Sequence, residues 1–358
     1  MRVSLRITSA NGCRFPHCID SHPATTENQE SELPKFEQQF TVDYDEPGRI
    51  LAELRRHMPG QSWRVVRNLL QSRRVAINGV LCVDEGRALT PGETIGICSV
   101  PLPPPPTDDD VVVRYVDRQL VIAEKPSGMT TLRRTSEMSW TGARRRAQPT
   151  LDESVARLIA KHAAGKAGQR LRQRVPKLYA VHRIDRDTSG LLVFARTEDA
   201  QQQIISQFAE HKAVRRYFCV IPGSLRDQTI RSQLIRDRGD GLRGSTTDTT
   251  IGQEAVTHIR TLRPLGSFSE LECTLETGRT NQIRIHLAEL GHPVCGDIKY
   301  RGPLGSPTED VSNAPRLALH AAVLRLQQPE SGKVLDFSTS WPTDMHRFLN
   351  RLHAQGDT

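Results

Sequence analysis

Apolar positions between residues 48 and 100 first recur at helical spacing and then alternate. Ile50, Leu51 and Leu54 form one stripe over Arg49–Met58, which predicts a helix that Pro59-Gly60 ends. Ser62 can cap a second helix running through Ser72, with Val66, Leu69 and Leu70 facing inward. Val75-Ala76-Ile77 and Val80-Leu81 flank Asn78-Gly79, a strong hairpin signal, and Thr90-Pro91-Gly92 turns the chain into a strand over Thr94–Cys98. Beyond residue 110 the pattern changes to longer apolar runs. Val111–Tyr115, Leu120–Glu124, Leu191–Ala195, Arg216–Ile221, Leu271–Leu275 and Leu317–Leu326 read as strands, whereas 151–163, Ala200–His211 and Thr280–Leu290 read as helices. Hairpin-spaced strands with few helices predict an α+β fold around a mixed, largely antiparallel sheet, preceded by a small N-terminal α/β unit.

The domain plan follows from what separates these patterns. Residues 1–40 are polar and aperiodic and read as a disordered extension. A small domain spans 41–100, and Pro101–Pro106 opens a stiff linker over 101–110 that ends in a solvated acidic run, Asp108-Asp109-Asp110. A large domain occupies 111–348, and 349–358 is a tail. No apolar run approaches the ~20 residues of a membrane span. No secretory signal is legible, so a cytoplasmic, monomeric protein with no membrane partner is expected. The seven cysteines are an odd number without tight metal spacing, which reads as buried thiols in a reducing compartment. A zinc site at Cys13, His17 and Cys18 would lack a second ligand pair.

The chain carries a net charge of +8. Between Gly48 and Val100 eight Lys+Arg face four Asp+Glu, a net +4, half of that total. Such an excess favours a polyanion, and Arg64, Arg67 and Arg74 on the outer faces of the second helix and its end are the candidate phosphate contacts. Arg144-Arg145-Arg146, within a polar insertion near 131–148, is either a solvated loop or a further basic grip.

Candidate chemistry concentrates in two polar clusters. The first, HRIDRDTSG over His182–Gly190, sets acids and bases in a turn just before the apolar run Leu191–Phe194. The second is GRTNQIRIH over Gly278–His286. In the first, Asp185 and Asp187 compete equally as a reactive carboxylate. Burial would raise such a carboxyl's pKa and a neighbouring arginine would lower it, so the two are expected to cancel.

The two clusters resemble the signature of the RluA-type pseudouridine synthases. HRIDRDTSG is similar to that family's HRLDxxTSG, and GRTNQIRIHLAELGHPVCGDIKY over 278–300 is similar to its GRxHQIRxHxxxxGxPxxGDxxY, with Asn281 in place of a histidine. Lys125-Pro126-Ser127-Gly128, Arg316–His320 and Trp341–Met345 extend the likeness across 111–348. The resemblance implies a pseudouridine-synthase fold and isomerisation of uridine in RNA. It selects Asp185 as the catalytic carboxylate, Arg284 as its cationic partner and Tyr217 as the residue stacking on the flipped uracil. It leaves His182, Arg183, Arg186 and Arg279 as RNA-contacting or loop-bracing residues, and Asp297, Tyr300 and His286 as structural ones. The reaction changes no oxidation state, so no metal or organic cofactor is expected. The helix–helix–hairpin unit resembles an S-four-type RNA-binding domain, with Trp63 and Glu93 departing from its usual arginine and aspartate. Together these imply a synthase acting on 23S-type large-subunit ribosomal RNA. The alternatives are a synthase of transfer RNA and a non-catalytic RNA-binding assembly factor.

Overall fold

The computed structural model describes residues 36–43, 48–167 and 175–355. The expected extension up to residue 35, the Cys13/His17/Cys18 set and the last three residues lie outside the described residues. The chain forms two compact units. Among the described residues, one holds 36–105 together with Trp140–Gln148, and the other holds Pro106–Ser139 and the chain from Pro149 onward.

The small unit follows the predicted order. Strand β1 (Phe36–Thr41) precedes helices α1 (Ile50–His57) and α2 (Trp63–Gln71), then β2 (Val75–Ile77), β3 (Val80–Leu81) and β4 (Thr94–Cys98). The sheet runs β1-β4-β2-β3, antiparallel throughout. β1 lies mostly in residues that the polar pattern assigns to the extension, 36–40. Ser62 caps α2, its hydroxyl accepting from the Val65 amide at 3.3 Å. Asn78 and Gly79 both have positive φ, 50° and 73°, as a type I′ hairpin turn requires. Ile50, Leu54, Val66, Leu70 and Ile95 are fully buried and make the core.

The chain continues through β5 (Val112–Val116), β6 (Leu120–Lys125), α3 (Gly142–Ala147), α4 (Leu151–Ala167), β7 (Tyr179–Ala180), β8 (Ser189–Ala195), α5 (Glu198–Ala209) and β9 (Val214–Pro222). Then follow β10 (Gln228–Ile235), β11 (Gly244–Thr246), β12 (Gln253–Leu265), β13 (Phe268–Leu275), α6 (Gln282–Glu289), β14 (Leu319–Gln327), β15 (Val334–Ser338) and α7 (Thr343–Ala354). The basic insertion thus contains a short helix, α3, and groups with the small unit. The acidic run before β5 is not merely solvated, because Arg157 donates to both oxygens of Asp108 at 2.7 and 2.6 Å. α7 carries the fold through the start of the expected tail. β10 and β12 were not predicted, because their outward residues are polar and largely exposed and dilute the alternation.

The large unit is built on one eleven-stranded sheet ordered β11-β10-β12-β13-β9-β14-β8-β6-β5, with β15 on β14 and β7 on β8. All its pairings are antiparallel except β14–β8. This is the α+β class that the strand spacing predicts. β8 is buried along its whole length. Leu192 and Phe194 enter one core, while Leu191, Val193 and Ala195 enter another, which explains an apolar run without alternation.

Four adjacent strands bring the two polar clusters together, because β13, which leads into the second, pairs with β9. Gly190 on β8 pairs with Ala321 on β14, which pairs in turn with Tyr217 on β9. Gly190 has φ +115°, and a Cβ there would lie 2.3 Å from the Ala321 carbonyl oxygen. Backbone strain and steric overlap coincide, so Gly190→Ala should destabilise the large unit by about 3 kcal/mol or more. Gly60, at φ +87° with open space around it, should cost only ~1–2 kcal/mol when changed to alanine. Urea denaturation of both variants checks this, and equal losses would refute the steric argument.

Candidate active site

Asp185 sits in the turn that enters β8, and a second turn holds it there. Lys125, at the end of β6 and only 1% exposed, donates from Nζ to the carbonyls of Pro126, Met129 and Arg186 at 2.9, 2.8 and 2.8 Å. Ser127 Oγ donates to Asp187 O at 2.7 Å, and Thr131 Oγ1 donates to Ile184 O at 2.8 Å. The Gly128 amide donates to Arg186 O, and Arg186 Nε donates to Gly128 O, both at 2.9 Å. Every carbonyl from Ile184 to Asp187 except that of Asp185 is therefore tied to residues 125–131, and the Asp185 carbonyl accepts from the Thr188 amide at 3.2 Å. Burial pulls the Lys125 pKa down to about 7, against the opposing pull of Asp187 and Asp185. The sequence pattern showed this lysine only as part of a matched motif, and its bracing role needed the fold.

Arg284 lies in the first turn of α6. Asn281, in the left-handed conformation at φ 60°, delays the helix start to Gln282, two residues later than the pattern predicts. The guanidinium forks onto Asp297, Nε to Oδ2 at 2.6 Å and Nη2 to Oδ1 at 2.8 Å. Nη1 donates to Asn281 Oδ1 at 3.1 Å and stands 3.7 Å from Asp185 Oδ2. The Tyr300 ring lies beneath the cation, 4.9 Å from its centre, and the Tyr300 hydroxyl accepts from Asn281 Nδ2 at 2.9 Å. Asp297 is therefore the main partner of Arg284, and the contact with Asp185 is a looser ion pair without a hydrogen bond. Burial opposes the charge on Arg284, but the bonds to Asp297 and the nearby carboxylates outweigh it and raise its pKa.

Asp185, Arg284 and Tyr217 line one cleft of about 430 Å³ that includes an open mouth. Arg183, Arg215, Thr188 and Arg279 line it as well. The Asp185 side chain is 22% exposed. Burial raises its pKa more than Arg284 lowers it, and Asp187 pushes in the same direction as burial. The expected cancellation does not occur. Burial also raises the Tyr217 pKa, with Asp185 adding to the effect and Arg215 opposing it. Arg215 escaped the sequence reading because an arginine on a strand gives no signal of its own. Its spacing of two from Tyr217, which puts both on one face, was the available clue.

The candidate RNA contacts divide. Arg183 is exposed at the cleft without a hydrogen bond or ion pair among the described residues, and Arg279 is exposed there with Nε on Glu254 O at 3.0 Å. His182 is not among the lining residues of the cleft. The Val193 amide donates to its Nε2 at 3.1 Å, it packs on Phe208, and burial lowers its pKa to about 3. His182 and Arg186 brace the loop. In the small unit Arg64 is exposed and unpaired among the described residues. Arg67 is paired with Glu85 at 2.9 Å, and Arg74 donates to Cys98 O at 2.7 Å and to Glu37 at 3.0 Å. His286 bonds Ser232 and Thr257, each at 2.9 Å, within the fold.

The family model described as RNA pseudouridylate synthase matches residues 119–289. The chain is 32% identical over 299 residues to the uncharacterized RNA pseudouridine synthase YlyB of Bacillus subtilis, covering 81% of this chain and 89% of that protein. It is 34% identical over 261 residues to the ribosomal large subunit pseudouridine synthase D of Zymomonas mobilis, covering 71% of this chain and 77% of that one. Its fold is similar to that of human RNA pseudouridylate synthase domain containing 4, with a TM-score of 0.50 at 22% identity over 67% of this chain and 92% of that chain.

A carboxylate that must be ionised to act loses activity as pH falls through its pKa. Because burial raises that of Asp185, kcat/KM should decline on the acid side around a midpoint above the ~3.9 of a free aspartate. A pH–rate profile checks this, and a midpoint at or below that value would show that Arg284, not burial, dominates.

Proposed function

The chain belongs to the RluA-type RNA pseudouridine synthases and isomerises uridine to pseudouridine in RNA, and from that premise we propose that its substrate is large-subunit ribosomal RNA and that Asp185 carries the chemistry. The observation that carries the site reading is the Asp185 carboxylate held 3.7 Å from a buried guanidinium in a cleft that Tyr217 also lines. Asp185 acts at the ribose while the bond between C1′ and uracil N1 breaks. The freed uracil turns and forms a bond from C5 to C1′. The C5 proton leaves, and N1 gains a proton. Atoms and oxidation states balance with uridine alone. Tyr217 stacks on the turned base and holds its oxygen near C5.

Several relatives are named as ribosomal large-subunit synthases, which supports the choice of RNA. The small unit, with its net +4 and the unpaired Arg64, serves as an S-four-type RNA-binding arm, and Arg183 and Arg279 meet phosphates at the cleft. The chain works as a cytoplasmic monomer, and no helix among the described residues is long and apolar enough to cross a membrane. The Asp185, Tyr217 and Arg284 set in one cleft speaks against a non-catalytic assembly factor, which has no need of it.

Tritium release from RNA labelled at uracil C5 should proceed with the intact protein and fall by on the order of 10³-fold or more in Asp185→Asn. Pseudouridine mapping with and without the protein should then locate a dependent site in large-subunit ribosomal RNA. Undiminished release by Asp185→Asn would overturn the site assignment, and dependent sites in transfer RNA alone would overturn the substrate.

A further inference from the structure

We propose that Arg215 is an anion anchor in the cleft, binding a backbone phosphate adjacent to the uridine that enters it. The inference rests on the pseudouridine-synthase reading above and adds to it a substrate contact.

Arg215 and Tyr217 are alternate residues of β9 and face the same side, about 7 Å apart along the strand. Arg215 is 9% exposed, yet no carboxylate lies within ion-pair distance of it among the described residues. Its Nη2 donates to Glu276 O at 3.3 Å, its guanidinium lies over the Phe208 ring at 4.7 Å, and its Nε is buried without an acceptor. Arg284, equally buried, has Asp297 and Asp185. The cleft wall also makes room for this cation. A Cβ on Gly278, itself a lining residue, would stand 2.6 Å from Arg215 Nη1.

Arginine keeps its proton even when buried, so it cannot escape the cost of desolvation by neutralising. Burial lowers its pKa, which registers that cost. A permanent cation held in a cleft without a counter-ion is arranged for an anion that arrives. The anion that RNA brings is phosphate, and the flat guanidinium fork matches two phosphate oxygens. Arg183 and Arg279, exposed to water, are screened and contribute less selectivity.

The test uses a short synthetic RNA containing the mapped uridine, carrying a single uncharged methylphosphonate on its 5′ or its 3′ side. With the unaltered protein, one of the two neutral linkages should raise KM by about tenfold or more relative to native RNA. Arg215→Gln should be impaired on native RNA and should show no further loss with that same linkage. The unaltered protein carries the first comparison, so instability of the variant does not decide the outcome. If both neutral RNAs react like native RNA, or if the loss is as large in Arg215→Gln, the anchor is refuted. Failure of the parent reading is distinct, because native RNA would then release no tritium at all.

Discussion

The Arg284–Asp297 fork is the interaction on which the site depends. Both side chains are almost wholly enclosed, and two hydrogen bonds fix the plane of the guanidinium. An isolated charge at that depth costs several kcal/mol, and removing one partner of such a pair typically costs about 3–5 kcal/mol. Asp297 is itself held by the amides of Lys299 and Tyr300, both at 2.9 Å on Oδ1. With the fork satisfied on two nitrogens, Nη1 is left facing Asn281 and Asp185. Arg284 thus offers Asp185 a positive field without binding it closely, so the carboxylate oxygens are not locked into a bidentate pair and stay available at the cleft.

The carboxylate is positioned by a different device. β8, β14, β9 and β13 lie side by side, and the turn before β8 and the segment after β13 both open on the same cleft. Strand pairing sets their approach, but a turn of four residues would still be free to move. The buried Lys125 removes that freedom by gathering carbonyls from its own turn and from Arg186. A cation at that point satisfies several buried acceptors at once, where neutral donors would need as many side chains. Its long-range attraction to Asp185 and Asp187 offsets part of its desolvation.

Much of the plan was legible in the residues. The small unit's helices, its Asn-Gly hairpin and the doubly buried β8 follow from apolar spacing and turn chemistry, because each is decided locally. The two polar clusters could be matched by motif before their strands were known to be neighbours. What escaped was decided by tertiary contact. His182 reads in sequence as either an RNA contact or a brace for the loop, and in space its ring accepts from a strand amide. Asn281 reads as a substitution, and in the fold its two amide atoms bridge Arg284 and Tyr300. Arg284 was paired with one aspartate from sequence, and the bond that orients it goes to another thirteen residues on. β10 and β12, with polar outer faces near the sheet's end, carry little of the period-two signal that reveals a half-buried strand.

The charge of the cleft explains why such different environments serve one reaction. Among the described residues its lining holds four arginines, Arg183, Arg215, Arg279 and Arg284, and one carboxylate, Asp185. An excess of fixed cations around a lone aspartate would suppress its basicity if the site were wet and open. Burial works the other way and prevails, leaving the carboxyl with a raised pKa and therefore a more basic oxygen than a solvated aspartate has. A polyanion entering the cleft would partly neutralise the arginines and exclude water, and both changes favour the protonated carboxyl. The positive lining and the burial of Asp185 thus act on its carboxyl in opposite directions, and burial is the larger.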